Sequence, residues 1–249
     1  MPPATLARSV LLEARRGGLP WLALASLLVA LGLAAFVSQV ALTESLSLQA
    51  ALLAAVLRAC AIFLIAAQVT SSTLREQNDK ALELMLSLPL SRATHYLGRL
   101  GGFVACGALL AAVFSLPLLF WAPPGAVALW GVSLACEAAL VAAASLFFAM
   151  TLAQFAPAIA ATASLYLLAR SIGAIQSIAG SPLTDNRLAQ YAVDAVALLL
   201  PRLDAVTRTA WLIYETPSAA VYAAALGSLL LYTALLIAAG LFDFYRRSV

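Results

Sequence analysis

Charge is what this sequence has least of. Only 10% of its 249 residues are Asp, Glu, Lys or Arg, against about a quarter in an ordinary soluble domain. Lysine occurs once, at Lys80, and histidine once, at His95. A single imidazole excludes a multi-histidine metal site. No GxxxxGKS/T loop is present, so the chain has no phosphate cradle of its own. HExxH is absent, no GxSxG precedes a histidine, and no paired glutamates suit an intramembrane metalloprotease. These absences argue against an enzymatic activity carried by this chain alone. The three cysteines, Cys60, Cys106 and Cys136, lie inside apolar runs without a CxxC. They read as small hydrophobes, not as a disulfide or zinc framework. A net charge of +3 is too small to suggest nucleic acid.

What is abundant is apolar surface, at 64% of residues. It comes in runs of about twenty, the length that crosses a bilayer as a helix. Short alternating segments of the β-barrel kind are missing. The expected fold class is therefore all-α, a polytopic membrane protein with six spans. Their expected extents are roughly Trp21–Val40, Leu48–Val69, Tyr96–Trp121, Val127–Met150, Ala158–Ile178 and Ala219–Leu241. The N-terminal region lacks a short apolar stretch ending in a small-residue cleavage site, so no cleaved signal peptide is expected.

Three segments stand apart from the spans. Residues 4–16 form an amphipathic helix with Leu6, Val10 and Leu11 on one face and Arg8, Glu13, Arg15 and Arg16 polar. Too short to cross, it is expected flat at the membrane surface. Residues 74–88 form a charged helix between the second and third spans. Residues 179–217 mix charge with apolar residues and are broken by Pro182, Pro201 and Pro217. They are expected as short surface helices or a broken re-entrant pair. Counting Lys and Arg in the flanks sets the orientation. Arg8, Arg15, Arg16, Arg75, Lys80, Arg92, Arg99, Arg246 and Arg247 gather on one side, and only Arg187, Arg202 and Arg208 on the other. Both termini and the 74–88 segment are thereby expected in the cytoplasm.

Three ionisable residues fall inside apolar runs: Arg58, Glu137 and Arg170. Each costs roughly 2.5–3.5 kcal/mol at mid-bilayer on insertion scales, so each should face protein or water. Arg58 and Glu137 lie about ten residues into parallel spans, hence at similar depth, and can pair. Such a pair either lines a polar path or fixes helix packing. Arg170 lies nearer the outer side and can snorkel. Gln68 and Gln154 are weaker polar candidates. His95, at the mouth of the third span, reads as an interfacial polar residue.

The stretch "LREQNDKALELMLSLPLSR", Leu74–Arg92, carries Arg75, Glu76, Asp79, Lys80 and Glu83 on one helical face. Arg75–Asp79 and Glu76–Lys80 are opposite charges four apart, worth a few tenths of a kcal/mol each. Leu74, Ala81, Leu82, Met85 and Leu88 form the other face. Pro89 ends the helix and Ser91 can cap the next. Such a helix can lie on headgroups, pack on its own spans, or dock in a partner's groove.

This stretch resembles the cytoplasmic signature of type-2 ABC transporter permeases. The matching positions are Glu76, Ala81, Leu82, Glu83, Leu84, Leu86, Ser87, Pro89, Ser91 and Arg92, followed by Gly98 and Arg99. Lys80 departs from the pattern, where glycine is common. The layout of an N-terminal surface helix, six spans and a coupling helix is similar to the family throughout. Leu198–Arg208, "LLLPRLDAVTR", resembles the segment before the last span in permeases of the copper-site and haem-maturation type.

The resemblance implies a half-transporter in a bacterial inner membrane. Two permease chains, expected as a homodimer, would be driven by two copies of a separate ABC ATP-binding subunit. That subunit would bind ATP and Mg and dock on Arg75, Glu76, Asp79, Lys80, Glu83, Leu84, Ser87, Pro89 and Arg92. This chain would hold no cofactor. Membrane lipid and an extracytoplasmic partner protein are further expected contacts. A membrane-embedded scaffold and an ATP-independent secondary transporter stand as alternatives. The scarcity of polar residues in the spans favours an amphipathic or lipid-like cargo, or force transmission to an outer partner.

Overall fold

The computed structural model describes residues 3–40, 45–79, 91–180, 187–206, 208, 210–213 and 217–246. Among these the regular secondary structure is all α-helix. The elements are α1 (Pro3–Arg16), α2 (Leu19–Val40), α3 (Ser45–Asn78), α4 (Arg92–Leu118), α5 (Pro124–Leu152), α6 (Phe155–Ala179), α7 (Arg187–Leu199), α8 (Leu203–Val206), α9 (Ala210–Ile213) and α10 (Ala219–Arg246). Six of them, α2 to α6 and α10, are long and apolar enough to cross a membrane. The chain is a multi-pass membrane protein.

α5 is the centre of the bundle. Of its apolar window 72% is buried, against 17% for α2 and for α10, which places α5 inside and those two at the rim. Helices in lipid gain little from hydrophobic burial and associate by close packing of small residues. α5 fits that demand with the buried run Ala142, Ala143, Ala144 and Ser145. α3, α4, α6 and α10 pack around it. α2 lies against α3; its Ala23, Ala30 and Ala34 are buried, while Trp21, Leu28, Val29 and Phe36 are exposed.

Local sequence explains most boundaries. Ser91 caps α4, its Oγ accepting from the Thr94 N–H at 3.2 Å, as expected. Pro124 opens α5 at a position that needs no backbone donor. Between α5 and α6, Ala153 turns the chain with a left-handed φ of 50° and Gln154 sits at the N-cap of α6. Pro157 falls in the first turn of α6, where it is tolerated.

Two expectations change. α1 does not rest its apolar face only on lipid: Leu6, Val10 and Ala14 are buried, and α1 packs on α4. Its stripe at every fourth residue meets a helix whose Gly102 lets the backbones approach. A Cβ at Gly102 would stand 2.7 Å from the Val10 Cβ and 2.9 Å from the Ala7 carbonyl. Gly102→Val is therefore expected to push α1 off α4 at a cost of about 1–3 kcal/mol. Faster hydrogen exchange over residues 3–16, with exchange in α6 unchanged, is the expected readout.

The second change is at the end of the second span. α3 continues as one helix to Asn78, so Leu74–Asn78 belongs to the spanning helix and does not begin a separate one. The remainder of the 74–88 segment, with Lys80, Ala81, Leu82, Glu83, Leu84, Leu86, Ser87 and Pro89, lies outside the described residues, as does Arg247.

Within 179–217 the amphipathic helix is α7, followed by the one-turn α8 and α9. α7 packs on α6, with Ala197 and, just past its end, Leu200 against Ile172. Gln176 Nε2 donates to Asp194 Oδ1 at 3.0 Å, and the Tyr232 hydroxyl donates to the Leu198 carbonyl at 2.5 Å. The other face of α7 leaves Leu188, Leu198 and Leu199 exposed, which suits a helix lying at the membrane.

Candidate functional site: two buried charge clusters at different depths

Arg58 and Glu137 meet. Ser45 to Arg58 and Pro124 to Glu137 are equal lengths of parallel helices, so the two side chains arrive at one depth. Arg58 Nη1 lies 2.5 Å from Glu137 Oε2, with 4% and 0% of the side chains exposed. Arg58 Nη2 donates to Ser133 Oγ at 3.1 Å, and its guanidinium lies 5.1 Å from the Trp130 ring centroid. The second carboxylate oxygen, Glu137 Oε1, accepts from the Tyr166 hydroxyl at 2.9 Å.

Arg170 does not reach away to the outer surface. Its Nη1 lies 3.7 Å from Glu137 Oε1. Glu137 lies fifteen residues before the end of α5 and Arg170 fifteen after the start of α6, on either side of the Ala153–Gln154 turn, so the two stand at one depth. One carboxylate thus faces two guanidiniums, and the cluster keeps an excess positive charge. Trp211 and Leu212 of α9 and Val206 of α8 line the small cavity beside Arg58 and Trp130.

The second cluster lies where α1, α3 and α4 meet. Ser72 is fourteen residues along α3 from Arg58, about 21 Å. Arg99, 4% exposed, is its hub. It forms an ion pair with Glu76 through Nη1 and donates from Nη2 to Ser72 Oγ at 2.9 Å. Ser72 Oγ in turn donates to Glu13 Oε2 at 2.9 Å. His95 Nε2 is 4.0 Å from Glu76 Oε1, and its ring stacks on Phe244 at 6.4 Å between centroids. His95, in the first turn of α4, is buried within the protein. These groups line a cavity of about 210 Å³ with Arg75 and Asp79 at its rim.

The sequence-derived docking residues divide accordingly. Arg75 and Asp79 are exposed, and no ion pair joins them among the described residues. Glu76 turns inward to Arg99, whose buried guanidinium offers a charge-assisted partner. Arg92 donates from Nη1 to the Phe244 carbonyl at 3.3 Å, where the last turn of α10 leaves its acceptors open. Gln68 is half-buried, and Gln154 is exposed at the N-cap of α6 with no side-chain capping bond. Neither joins a charge cluster.

The role of Arg99, and those of Glu13 and Ser72, went unread in the sequence. Their partners come from three different helices, so no local spacing announces them. The one available signal was the apolar turn that follows Arg99, which promises burial without naming a partner.

Among the described residues, no three His, Cys, Asp or Glu side chains gather as metal ligands. What the arrangement can do is mechanical and electrostatic. It ties the ends of three helices together at one level and holds a net positive centre at another. Compared with known protein families and with curated proteins, the chain matches no family model and no curated protein.

Proposed function

We propose that the chain is the membrane subunit of a type-2 ABC transporter. Two such permease chains would form a force-transmitting or translocating unit in a bacterial inner membrane. A separate ATP-binding subunit, carrying ATP and Mg, would dock on the 74–88 segment of each. The observation that carries this reading is the Leu74–Arg92 motif, set between α3 and α4 on the arginine-rich side. Supporting it, the helices that bracket the segment are locked by Glu76 and Arg99, and through Ser72 to Glu13 of α1. A push on the segment therefore moves three helices together.

The mid-depth cluster gives that movement something to act on. Arg58, Glu137, Tyr166 and Arg170 belong to α3, α5 and α6, so a shift of α3 strains a buried ion pair. The decisive experiment is co-purification with an ATP-binding subunit from the same genome, followed by ATPase assays of the complex. Wild type is expected to hold the subunit and change its ATPase rate. Glu83→Arg, at the centre of the motif, is expected to weaken that association about tenfold or more, as reversal of an interfacial charge does. Normal coupling in Glu83→Arg would remove the docking helix from the reading.

A further inference from the structure

Beside α1 the structure holds an apolar groove of about 440 Å³, within the usual range for a ligand site. Leu11 and Ala14 of α1, Leu24 and Leu27 of α2, and Leu109 and Val113 of α4 form its walls. Arg15 stands at its mouth, exposed, with Arg16 beside it. Neither arginine meets an acidic partner among the described residues. The one acid nearby in sequence, Glu13, is turned away and accepts from Ser72 on α3.

The groove also has a definite depth. Along α2 it runs from Leu19 to Leu27, eight residues or about 12 Å. The hydrocarbon of one leaflet is about 15 Å deep, half of a core of about 30 Å. The turn before α2, where Gly18 adopts a φ of +88°, sets Arg15 at the shallow end. A slot one leaflet deep, apolar along its length and cationic at its mouth, matches a single class of ligand.

We propose that this groove is a binding site for an anionic phospholipid of the leaflet on the α1 side. An acyl chain lies between α1, α2 and α4, and the phosphate-bearing headgroup meets Arg15 and Arg16. An uncharged or zwitterionic lipid fits the walls but leaves the arginines unanswered. A basic residue at an anionic membrane surface is worth about a fivefold preference. The site is independent of any transport role, since it uses neither charge cluster nor the 74–88 segment.

The test uses the full chain, delipidated in detergent and offered equal amounts of phosphatidylglycerol and phosphatidylethanolamine with the same acyl chains. Native mass spectrometry then reads what is retained. Wild type is expected to hold phosphatidylglycerol at least fivefold over phosphatidylethanolamine. Arg15→Glu with Arg16→Glu should abolish the preference while leaving some binding of both. Leu109→Trp and Leu24→Trp, each filling the groove from an exposed position, should lose both lipids, whereas Val221→Trp on the rim of α10 should lose neither. Elution of each variant as a single size-exclusion peak shows that it has folded. Equal retention of the two lipids by wild type overturns the proposal. So does undiminished phosphatidylglycerol binding in both groove-filling variants. A lipid-free dimer that Leu109→Trp splits also overturns it, by showing a second copy of the chain in the groove.

Discussion

Glu137→Ala is expected to unfold well below wild type in a thermal melt of the purified protein, with a loss of roughly 3–5 kcal/mol. The carboxylate is 0% exposed and answers Arg58, Tyr166 and Arg170 at once. Removing it leaves the buried Arg58 guanidinium with no counter-charge and the partly exposed Arg170 beside it. Gln154→Ala serves as the contrast, because Gln154 is exposed and its side chain caps nothing; it is expected within about 0.5 kcal/mol of wild type. A double variant separates the two readings of the pair. Replacing a buried ion pair by apolar residues of similar volume is often neutral, so Arg58→Met with Glu137→Leu should regain much of the loss. If stability returns and coupling to the proposed ATP-binding subunit returns with it, the pair fixes packing. If stability returns alone, the cluster serves the moving path. A Glu137→Ala protein as stable as wild type would show that the pair contributes nothing to the fold.

The pair was legible because both residues interrupt apolar runs at matching depth in parallel helices. Depth along a helix is a property that one sequence carries. A span expected to start at Ala158 places Arg170 too far out; α6 starts at Phe155, and counted from the turn it shares with α5, Arg170 and Glu137 are each fifteen residues away. The six spans were equally legible, since twenty apolar residues have few other uses. Their ends were less so. A polar run such as "TSST", Thr70–Thr73, normally marks the water boundary, and it reads as the end of the second span. In the structure Thr70, Ser72 and Thr73 are buried and the helix runs on to Asn78. Ser72 can be buried because Glu13 and Arg99 answer it. Those partners stand 59 and 27 residues away in sequence, beyond any window of local pattern. The partner of α1 was hidden for the same reason. Its amphipathic stripe specifies an apolar surface to cover, and cannot say that α4 supplies it.

Arg99→Ala is the second large effect expected. It removes the one buried guanidinium among the described residues of this cluster and leaves Glu76 facing His95, with Arg75 only at the exposed rim. The cost should again be roughly 3–5 kcal/mol, because one partner of a buried pair is left behind. The defect should be local in a way the Glu137 defect is not. Hydrogen exchange is expected to rise in α1 and in the last turns of α3, with α6 unaffected. Arg99→Lys should rescue only in part: an ammonium is a single point of charge, whereas the guanidinium reaches Glu76 and Ser72 with separate nitrogens. Glu76→Gln added to Arg99→Ala should recover part of the loss, since an uncharged amide in that place no longer needs the cation. The two clusters lie about 21 Å apart along α3, so the losses from Arg99→Ala and Glu137→Ala should add within about 0.5 kcal/mol when combined. A large departure from additivity would mean that α3 carries strain from one cluster to the other, and that is the behaviour a force-transmitting helix requires. Unchanged melting and exchange in Arg99→Ala would remove the lock between α1, α3 and α4 altogether.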